Sequence, residues 1–132
     1  MPFILIHPID FHSEIPSEPG IYKIVSLNEN RLPTPISRLG GVDNDGTLYI
    51  GQSQNLKDRL RMLWRVLNPG YLATAHTFGI NYNHVPLLQA LYPLDTIAIN
   101  FEINYDQLNY EKSLIENYRQ QYGEVPPLNE KK

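Results

Sequence analysis

The chain has 132 residues, of which 42% are hydrophobic and 19% are charged, so we expect a folded globular protein rather than a disordered acidic chain. Its 11 Lys and Arg residues against 14 Asp and Glu residues give a net charge of −3, which argues against a protein that coats nucleic acid through overall positive charge. The sequence has no cysteine, which excludes disulfide scaffolds, thiolate metal sites and cysteine nucleophiles.

The length predicts a single domain over residues 1–132. The apolar run FILI near the N-terminus is too short for a signal peptide or a membrane span, so we expect a soluble cytoplasmic protein without a membrane partner. Residues 1–19 form a predicted lead-in, because SEIPSEPG contains two prolines and a glycine before the first regular segment.

The first half of the chain predicts two strands and a helix. GIYKIVSL at residues 20–27 and TLYIG at residues 47–51 are rich in β-branched and aromatic residues, which is typical of strands. Residues 28–46 between them predict a long, mobile loop, close to where a nucleic acid would approach, that ends in a turn at Asp45-Gly46. The leucines of residues 54–67 recur at a helical period and predict a helix.

The second half predicts a helix over residues 82–92, a half-buried strand over 95–103, and a helix over 106–122 closed by Gly123. The order β-β-α-α-β-α indicates an α+β fold, in which a small mixed or antiparallel three-stranded sheet is flanked by helices.

The last predicted helix places a carboxylate inside its apolar stripe. With Leu108 at 0° and roughly 100° per residue, Ile115, Tyr122 and Tyr118 define the stripe and Glu111 falls at about 300° within it. Since an unpaired buried carboxylate costs several kcal/mol, Glu111 needs a cation, an arginine or a tyrosine as partner. A structural salt bridge at the helix edge is the alternative.

The helix over residues 54–67 carries its positive charges on two flanks. Lys57, Arg61 and Arg65 stack at i, i+4 spacing on one flank, and this stripe is either a solvated face or a phosphate contact. Arg59 lies alone on the opposite flank, where it can reach back over the sheet. Tyr22 and Tyr49 lie in the two short strands, each close to a glycine that permits close approach of another group.

These residues carry a resemblance to a known family. GIY at residues 20–22 and YIG at residues 49–51 resemble the paired signature of the GIY-YIG nuclease superfamily. GQSQNLKDRL resembles the stretch after the family's second strand and aligns its arginine with Arg59. YEKSLIENYRQQYGEVPPLN resembles the family's late helix and aligns its metal-binding glutamate with Glu111 and its terminal asparagine with Asn129. The resemblance extends over residues 20–129 in four ordered blocks.

The resemblance implies a GIY-YIG-like fold and a divalent-metal-dependent phosphodiesterase that acts on DNA as an endonuclease. Glu111 would hold Mg²⁺ or Mn²⁺, and Arg59 would neutralise charge that gathers on the phosphate. Tyr22 would accept a proton from the attacking water, and Tyr49 would hydrogen-bond the nucleophile or the phosphate. Many members carry a histidine one turn after the arginine; this chain has Leu63 there, and His76 in the following loop is the candidate imidazole or an exposed loop residue.

Six residues are candidate DNA contacts. They comprise the basic stripe, two arginines of the long loop and the aligned asparagine: Lys57, Arg61, Arg65, Arg31, Arg38 and Asn129. We expect a homodimer or a partner protein if both DNA strands are cut.

Two other interpretations remain open at this point. One is a noncatalytic module of the same fold that binds nucleic acid or protein. The other is an unrelated α+β domain in which the tyrosines and Glu111 are structural, and this interpretation predicts that the four side chains do not converge.

Overall fold

The computed structural model describes residues 3–6, 8, 11–67 and 90–129. Six strands lie within them: β1 (Ile4–Leu5), β2 (Gly20–Ser26), β3 (Ile36–Arg38), β4 (Gly41–Asp43), β5 (Tyr49–Ser53) and β6 (Ile97–Ile103). The helices are α1 (Leu56–Leu67) and α2 (Gln107–Tyr122), with short 3₁₀ turns at Phe11–Glu14 and Leu94–Thr96. Four strands form an antiparallel sheet in the order β1-β6-β2-β5, and β3 pairs with β4 in a separate hairpin.

The core lies between one face of the four-stranded sheet and α1. Leu56, Leu60 and Leu63 of α1 are fully buried in one cluster with Ile24 and Ile99 of the sheet. These leucines recur every three or four residues, so one helix face is apolar along its whole length and buries against the sheet. Because β2 and β5 both run under this face, α1 is fixed directly over the two strands that carry the paired tyrosines.

The α+β class and the main elements agree with the sequence analysis. The strands predicted over residues 20–27, 47–51 and 95–103 are β2, β5 and β6, each with ends shifted by no more than two residues. The helices predicted over 54–67 and 106–122 are α1 and α2, and Gly123 ends α2 with a φ of 79° in the left-handed region. Of the helix predicted over 82–92, residues 82–89 lie outside the described residues.

The prediction of three sheet strands was wrong by one strand. Ile4 and Leu5, which we assigned to the lead-in, form β1 and pair with Ile99 and Ala98 of β6. A strand of two residues is too short to show an alternating pattern in the sequence, so its existence depends on the partner strand rather than on a local signal.

The prediction of a long loop without strands over residues 28–46 was also wrong, whereas its mobility stays a prediction. The segment contains the β3–β4 hairpin, and its backbone is attached to the rest of the domain at both ends. Thr34 N donates to Ser26 O at 2.8 Å, and Gly40 N donates to Tyr122 O at 2.8 Å. Two strands of three residues each carry too little periodicity to be recognised among prolines and glycines.

An ion pair holds the tip of the hairpin against the segment that follows α2. Arg38 Nη2 lies 2.8 Å from Glu124 Oε1 and also donates to Val125 O. Leu39 N donates to the other oxygen of the same carboxylate at 2.8 Å. The side chain of Arg38 is only 10% exposed, so its guanidinium is largely shielded from solvent, whereas the hydrogen bond of Leu39 is exposed.

A buried carboxylate joins the base of the hairpin to α2. Asp43 is 1% exposed, and its two oxygens accept hydrogen bonds from the backbone N–H groups of Asp45, Gly46 and Thr47. The Tyr118 hydroxyl of α2 donates to the same carboxylate at 2.9 Å. A buried charge is tolerated when it accepts this many hydrogen bonds, so Asp43 fixes the hairpin to the helix that carries Glu111.

Among the residues that the structure describes, no helix combines the length and apolarity that crossing a lipid bilayer requires.

The Asp43→Ala substitution tests this junction. We expect it to lower the free energy of unfolding by about 3 kcal/mol, because it leaves the buried Tyr118 hydroxyl and several backbone N–H groups without an acceptor. The midpoint of urea unfolding measures the change. The exposed neighbour provides the control: Asp45→Ala should shift the free energy of unfolding by no more than about 0.5 kcal/mol. Equal effects of the two substitutions would contradict the structural role of Asp43.

Candidate active site

Tyr22 and Tyr49 lie on the same face of the sheet on adjacent strands. Tyr22 of β2 pairs with Gly51 of β5, and Tyr49 pairs with Ile24, so the two tyrosines occupy diagonal positions. Their ring centroids are 6.1 Å apart with planes inclined at 33°. Tyr22 is fully buried and Tyr49 is 8% exposed, which places both phenols in a largely water-free environment.

Gly51 provides the room for the Tyr22 side chain. A Cβ atom added at Gly51 would lie 2.5 Å from the hydroxyl oxygen of Tyr22 and would also collide with its ring. The Tyr22 ring therefore passes directly over the backbone of β5, which only glycine permits. The last letter of the YIG motif thus has a packing function that depends on the tyrosine of the GIY motif.

The N-terminus of α1 positions Arg59. Asn55 caps the helix, since its Oδ1 accepts a hydrogen bond from Asp58 N at 3.1 Å and its carbonyl accepts one from Arg59 N at 3.1 Å. From this first turn the Arg59 guanidinium reaches the phenols and donates side-chain hydrogen bonds to Tyr22 and to Tyr49. Its Nη1 also lies 3.7 Å from the sulfur of Met62.

Helix α2 packs against β5 and β2 and brings Glu111 to the same group. Glu111 is half-buried. The predicted apolar face needs one correction: Leu108 is 54% exposed, whereas Gln107 and Tyr118 are the buried residues of the helix. The inward face is therefore rotated away from Leu108, and at about 100° per residue Glu111 stays within it.

Opposing charges act on the two phenols. Burial raises the pKa of Tyr22 far above its usual range, and Tyr49 raises it further. The Arg59 guanidinium lowers the Tyr22 pKa through its charge and its hydrogen bond, and the Glu111 carboxylate raises it. Burial likewise raises the pKa of Tyr49, Arg59 lowers it and Glu111 raises it. The structure thus brings Tyr22, Tyr49, Arg59 and Glu111 together as one electrostatically coupled cluster.

The residues of this cluster suit a hard divalent cation. Among the described residues, no group of three or more His, Cys, Asp and Glu side chains could hold a metal ion. Glu111 is the carboxylate of this cluster. Mg²⁺ commonly binds through one or two carboxylates and completes its octahedron with water and substrate phosphate oxygens. An oxygen donor beside two phenols and a guanidinium fits that pattern.

Asn129 has a structural position next to the cluster. Its side-chain amide donates from Nδ2 to Ile50 O and accepts at Oδ1 from Ile50 N, both at 2.9 Å. Leu128 N donates to Leu48 O at 2.9 Å just before it. The segment after α2 therefore pairs with β5 as a further strand would, and it fixes the residue between Tyr49 and Gly51. Contact of Asn129 with DNA stays a prediction.

The other candidate DNA contacts differ in their surroundings. Lys57 and Arg61 are half-buried on α1, and Arg65 is exposed in its last turn. Arg31 is exposed and has a φ of 61°, within the turn formed around the Asn28 side chain.

Arg38 is different, because its guanidinium is engaged with Glu124 and Val125, as described for the hairpin. These contacts hold the guanidinium against the segment after α2, and contact of Arg38 with DNA stays a prediction. His76 lies outside the described residues.

Sequence reasoning missed two features of this region. The hairpin and its attachment through Asp43 gave no periodic signal, although the turn residues around Gly46 indicated a turn. The double hydrogen bond of Asn129 to Ile50 had no local signal either, because it joins positions 79 residues apart in the chain.

Comparisons with known proteins give one result. No protein-family model matches the sequence, and no curated protein is similar to it. A solved structure that is similar to this chain is the GIY-YIG N-terminal endonuclease domain of UvrC from Thermotoga maritima, a tyrosine-to-phenylalanine point mutant bound to its catalytic divalent cation. The match covers 91% of each chain at 18% sequence identity, with a TM-score of 0.43. The residue roles proposed below rest on the geometry of this chain.

The coupled phenols predict a loss of stability at alkaline pH. Burial raises the pKa of Tyr22 in the folded protein above the value of about 10 that an exposed tyrosine has, so Tyr22 stays protonated where the unfolded chain begins to ionise. Its contribution to stability is therefore complete below pH 10 and decreases as the pH rises above 10. Each pH unit above 10 lowers the free energy of unfolding by about 1.4 kcal/mol for one proton that the unfolded chain releases and the folded chain retains.

The Tyr22→Phe variant should accordingly lose stability less steeply above pH 10 than the original protein does. Urea unfolding at a series of pH values measures both slopes. Parallel curves would show that Tyr22 ionises normally and would contradict its burial in the cluster.

Proposed function

We propose that the chain is a divalent-metal-dependent DNA endonuclease of the GIY-YIG type. The observation that supports this most strongly is the convergence of two phenols, one guanidinium and one carboxylate from β2, β5, α1 and α2. These are the four residues that the sequence motifs align with the site of that superfamily. A structural role alone would not require a carboxylate that raises the pKa of two buried phenols while the guanidinium lowers it.

Arg59 is proposed to bind the phosphate group under attack. Its guanidinium is planar and permanently charged, so it stabilises negative charge that accumulates on the phosphate oxygens in the transition state. Its hydrogen bonds to both tyrosines fix its direction before substrate arrives. A preorganised donor contributes more than one that must be oriented during the reaction.

Tyr22 is proposed to accept a proton from the attacking water, and Tyr49 to hydrogen-bond the water or the phosphate. Since burial raises the pKa of Tyr22, proton acceptance requires additional positive charge near its hydroxyl. Arg59 already acts in this direction. Glu111 acts against it, so neutralising the Glu111 carboxylate brings the phenol closer to the pKa that a base needs.

Glu111 is proposed to hold Mg²⁺ or Mn²⁺. When bound, the cation would polarise the scissile phosphate and stabilise the leaving 3′ oxygen. The half-buried position of Glu111 keeps its carboxylate beside the phenols and the guanidinium. The chain's own contribution is therefore a carboxylate that lies beside the two phenols, in a position to bind a cation.

The basic stripe of α1 is proposed to contact the DNA backbone through Lys57, Arg61 and Arg65, with Arg31 as a further contact. α1 holds four of the chain's 11 Lys and Arg residues within twelve positions, so positive charge is concentrated there although the whole chain is acidic. The cytoplasmic location and a second copy for double-strand cutting stay predictions.

Cleavage of supercoiled plasmid and of branched DNA with Mg²⁺ or Mn²⁺ tests the proposed activity. We expect metal-dependent nicking that decreases about 100-fold or more in Glu111→Ala and in Arg59→Ala, because each substitution removes a group that stabilises the transition state. Glu116→Ala is the matched control, since Glu116 lies at an exposed position of the same helix and pairs with Arg119. It should retain full activity.

Well-folded protein that binds these DNAs but cuts none of them would favour the noncatalytic module instead. Nicking that persists in Glu111→Ala would contradict the proposed metal ligand.

The salt dependence of DNA binding tests the stripe. Replacing Lys57, Arg61 and Arg65 together by Gln should weaken binding to any duplex sequence, because each lost phosphate contact reduces counterion release. The slope of log K against log salt should decrease in magnitude by about 0.9 per contact. Fluorescence anisotropy over a range of salt concentrations measures the slope. Lys112→Gln, at an exposed position of α2, is the control. An unchanged slope in the triple variant would show that the stripe is a solvated face.

A further inference from the structure

Met62 of α1 contacts the arginine that we propose to bind the phosphate. It follows Arg59 by three residues, so at about 100° per residue the two side chains lie about 60° apart around the helix. Arg59 Nη1 lies 3.7 Å from the sulfur of Met62. The fully buried leucines of α1 occupy the neighbouring face, which covers the sheet. Met62 therefore lies at the edge of the coupled cluster, against its guanidinium.

The thioether is suited to orient the guanidinium without binding it tightly. A thioether sulfur is a weak hydrogen-bond acceptor, whereas phenol and phosphate oxygens accept more strongly. The Arg59 guanidinium contacts this sulfur as well as the two phenols. A phosphate oxygen would displace the sulfur at little cost, because the contact that is lost is the weakest of the three. A leucine would supply similar packing but no acceptor.

The side chain of Met62 is accessible to small oxidants. It is half-buried, in contrast to the fully buried leucines of the same helix. The sequence contains two methionines, and Met1 is the other. Oxidation of a methionine to its sulfoxide changes a flexible apolar side chain into a polar one, and reductases reverse the change. Met62 therefore combines partial exposure with a contact to the candidate site.

Oxidation would strengthen the contact with Arg59. A sulfoxide carries a polar oxygen, and a hydrogen bond from a guanidinium to such an oxygen is charge-assisted. The oxygen would be added to an atom that already lies 3.7 Å from Nη1, so it meets the guanidinium without any movement of α1. Because the sulfoxide accepts more strongly than the thioether, it competes with the phosphate for the same N–H groups.

We propose that Met62 is a peroxide-sensitive modification site whose sulfoxide captures the Arg59 guanidinium. The sulfur donates an electron pair to one oxygen of hydrogen peroxide, and the S–O bond forms as the O–O bond breaks. The other oxygen leaves as hydroxide and takes the proton of the first, which gives water. The sulfur is thereby oxidised by two electrons and the peroxide is reduced. The effect on DNA cleavage rests on the proposed function, whereas the capture of Arg59 does not.

NMR of the Arg59 guanidinium tests the capture without DNA. Protein with isotope-labelled arginine is compared before and after treatment with hydrogen peroxide, and mass spectrometry measures the oxidation of Met62 and Met1 separately. We expect the Arg59 N–H protons to exchange with water about tenfold more slowly once Met62 is oxidised, because a charge-assisted hydrogen bond protects them. The signals of Arg65, at an exposed position of the same helix, are the internal control.

Two substitutions of similar size separate the sulfoxide from oxidation elsewhere. Met62→Leu keeps an apolar side chain that peroxide does not oxidise, so its Arg59 signals should be the same before and after treatment. Met62→Gln places an amide oxygen near the position of the sulfoxide oxygen, so it should behave as the oxidised protein without peroxide. Both variants retain Met1, which controls for oxidation at that residue. Circular dichroism establishes that each variant is folded.

Cleavage of supercoiled plasmid measures the consequence for the proposed function. We expect peroxide to lower kcat/KM of the original protein about tenfold, which corresponds to the loss of one charged hydrogen bond in the transition state. Met62→Leu is compared with itself, and its kcat/KM should not change on treatment. Untreated Met62→Gln should be about tenfold slower than untreated Met62→Leu.

The results distinguish this inference from the proposed function. If Met62 is oxidised and the Arg59 exchange is unchanged, or if Met62 resists peroxide while Met1 is oxidised, the inference is overturned. If peroxide lowers cleavage equally in Met62→Leu, the sensitive group lies elsewhere and the inference is also overturned. If the untreated protein cuts no DNA, the endonuclease proposal fails, and the Arg59 exchange alone decides the inference.

Discussion

The passage of the Tyr22 ring over Gly51 determines how the rest of the site is arranged. A fully buried tyrosine needs a partner for its hydroxyl, and the ring reaches that partner only because Gly51 has no side chain. Arg59 then meets both hydroxyls from the first turn of α1, whose position is fixed by the apolar face that covers the same strands. The position of the Tyr22 hydroxyl, and with it the contact that Arg59 makes, therefore depends on one contact between β2 and β5.

The electrostatics of the cluster follow from this burial. Two phenols shielded from water lie between a guanidinium that favours their ionisation and a carboxylate that opposes it. Adding positive charge at Glu111 shifts the balance towards ionisation, which is why the arrangement suits metal-assisted attack on a phosphate. Two distant contacts hold the flanking elements in place: Asp43 fixes the hairpin to α2, and Asn129 pairs with the backbone of β5 between the YIG residues.

The sequence predicted the parts of this molecule that local periodicity or a motif determines. The β-branched and aromatic content of β2, the alternation in β6 and the leucine spacing in α1 predicted these elements. The position of Glu111 in an apolar stripe marked it before any motif was considered. Contacts between distant residues were not predictable in this way. β1 exists because β6 is beside it, and the hairpin depends on Tyr118 and on the ion pair between Arg38 and Glu124, which are far apart in the chain.

The central claim is that a cation held by Glu111 lies next to the phenols of Tyr22 and Tyr49. Titration with Mn²⁺, followed by NMR on protein with isotope-labelled tyrosine rings, tests it directly, because the paramagnetic ion broadens only nearby signals. We predict that the ring signals of Tyr22 and Tyr49 broaden at low Mn²⁺ concentration in the original protein and remain sharp in Glu111→Ala. Broadening that spares these two tyrosines, or that is unchanged in Glu111→Ala, would contradict the account.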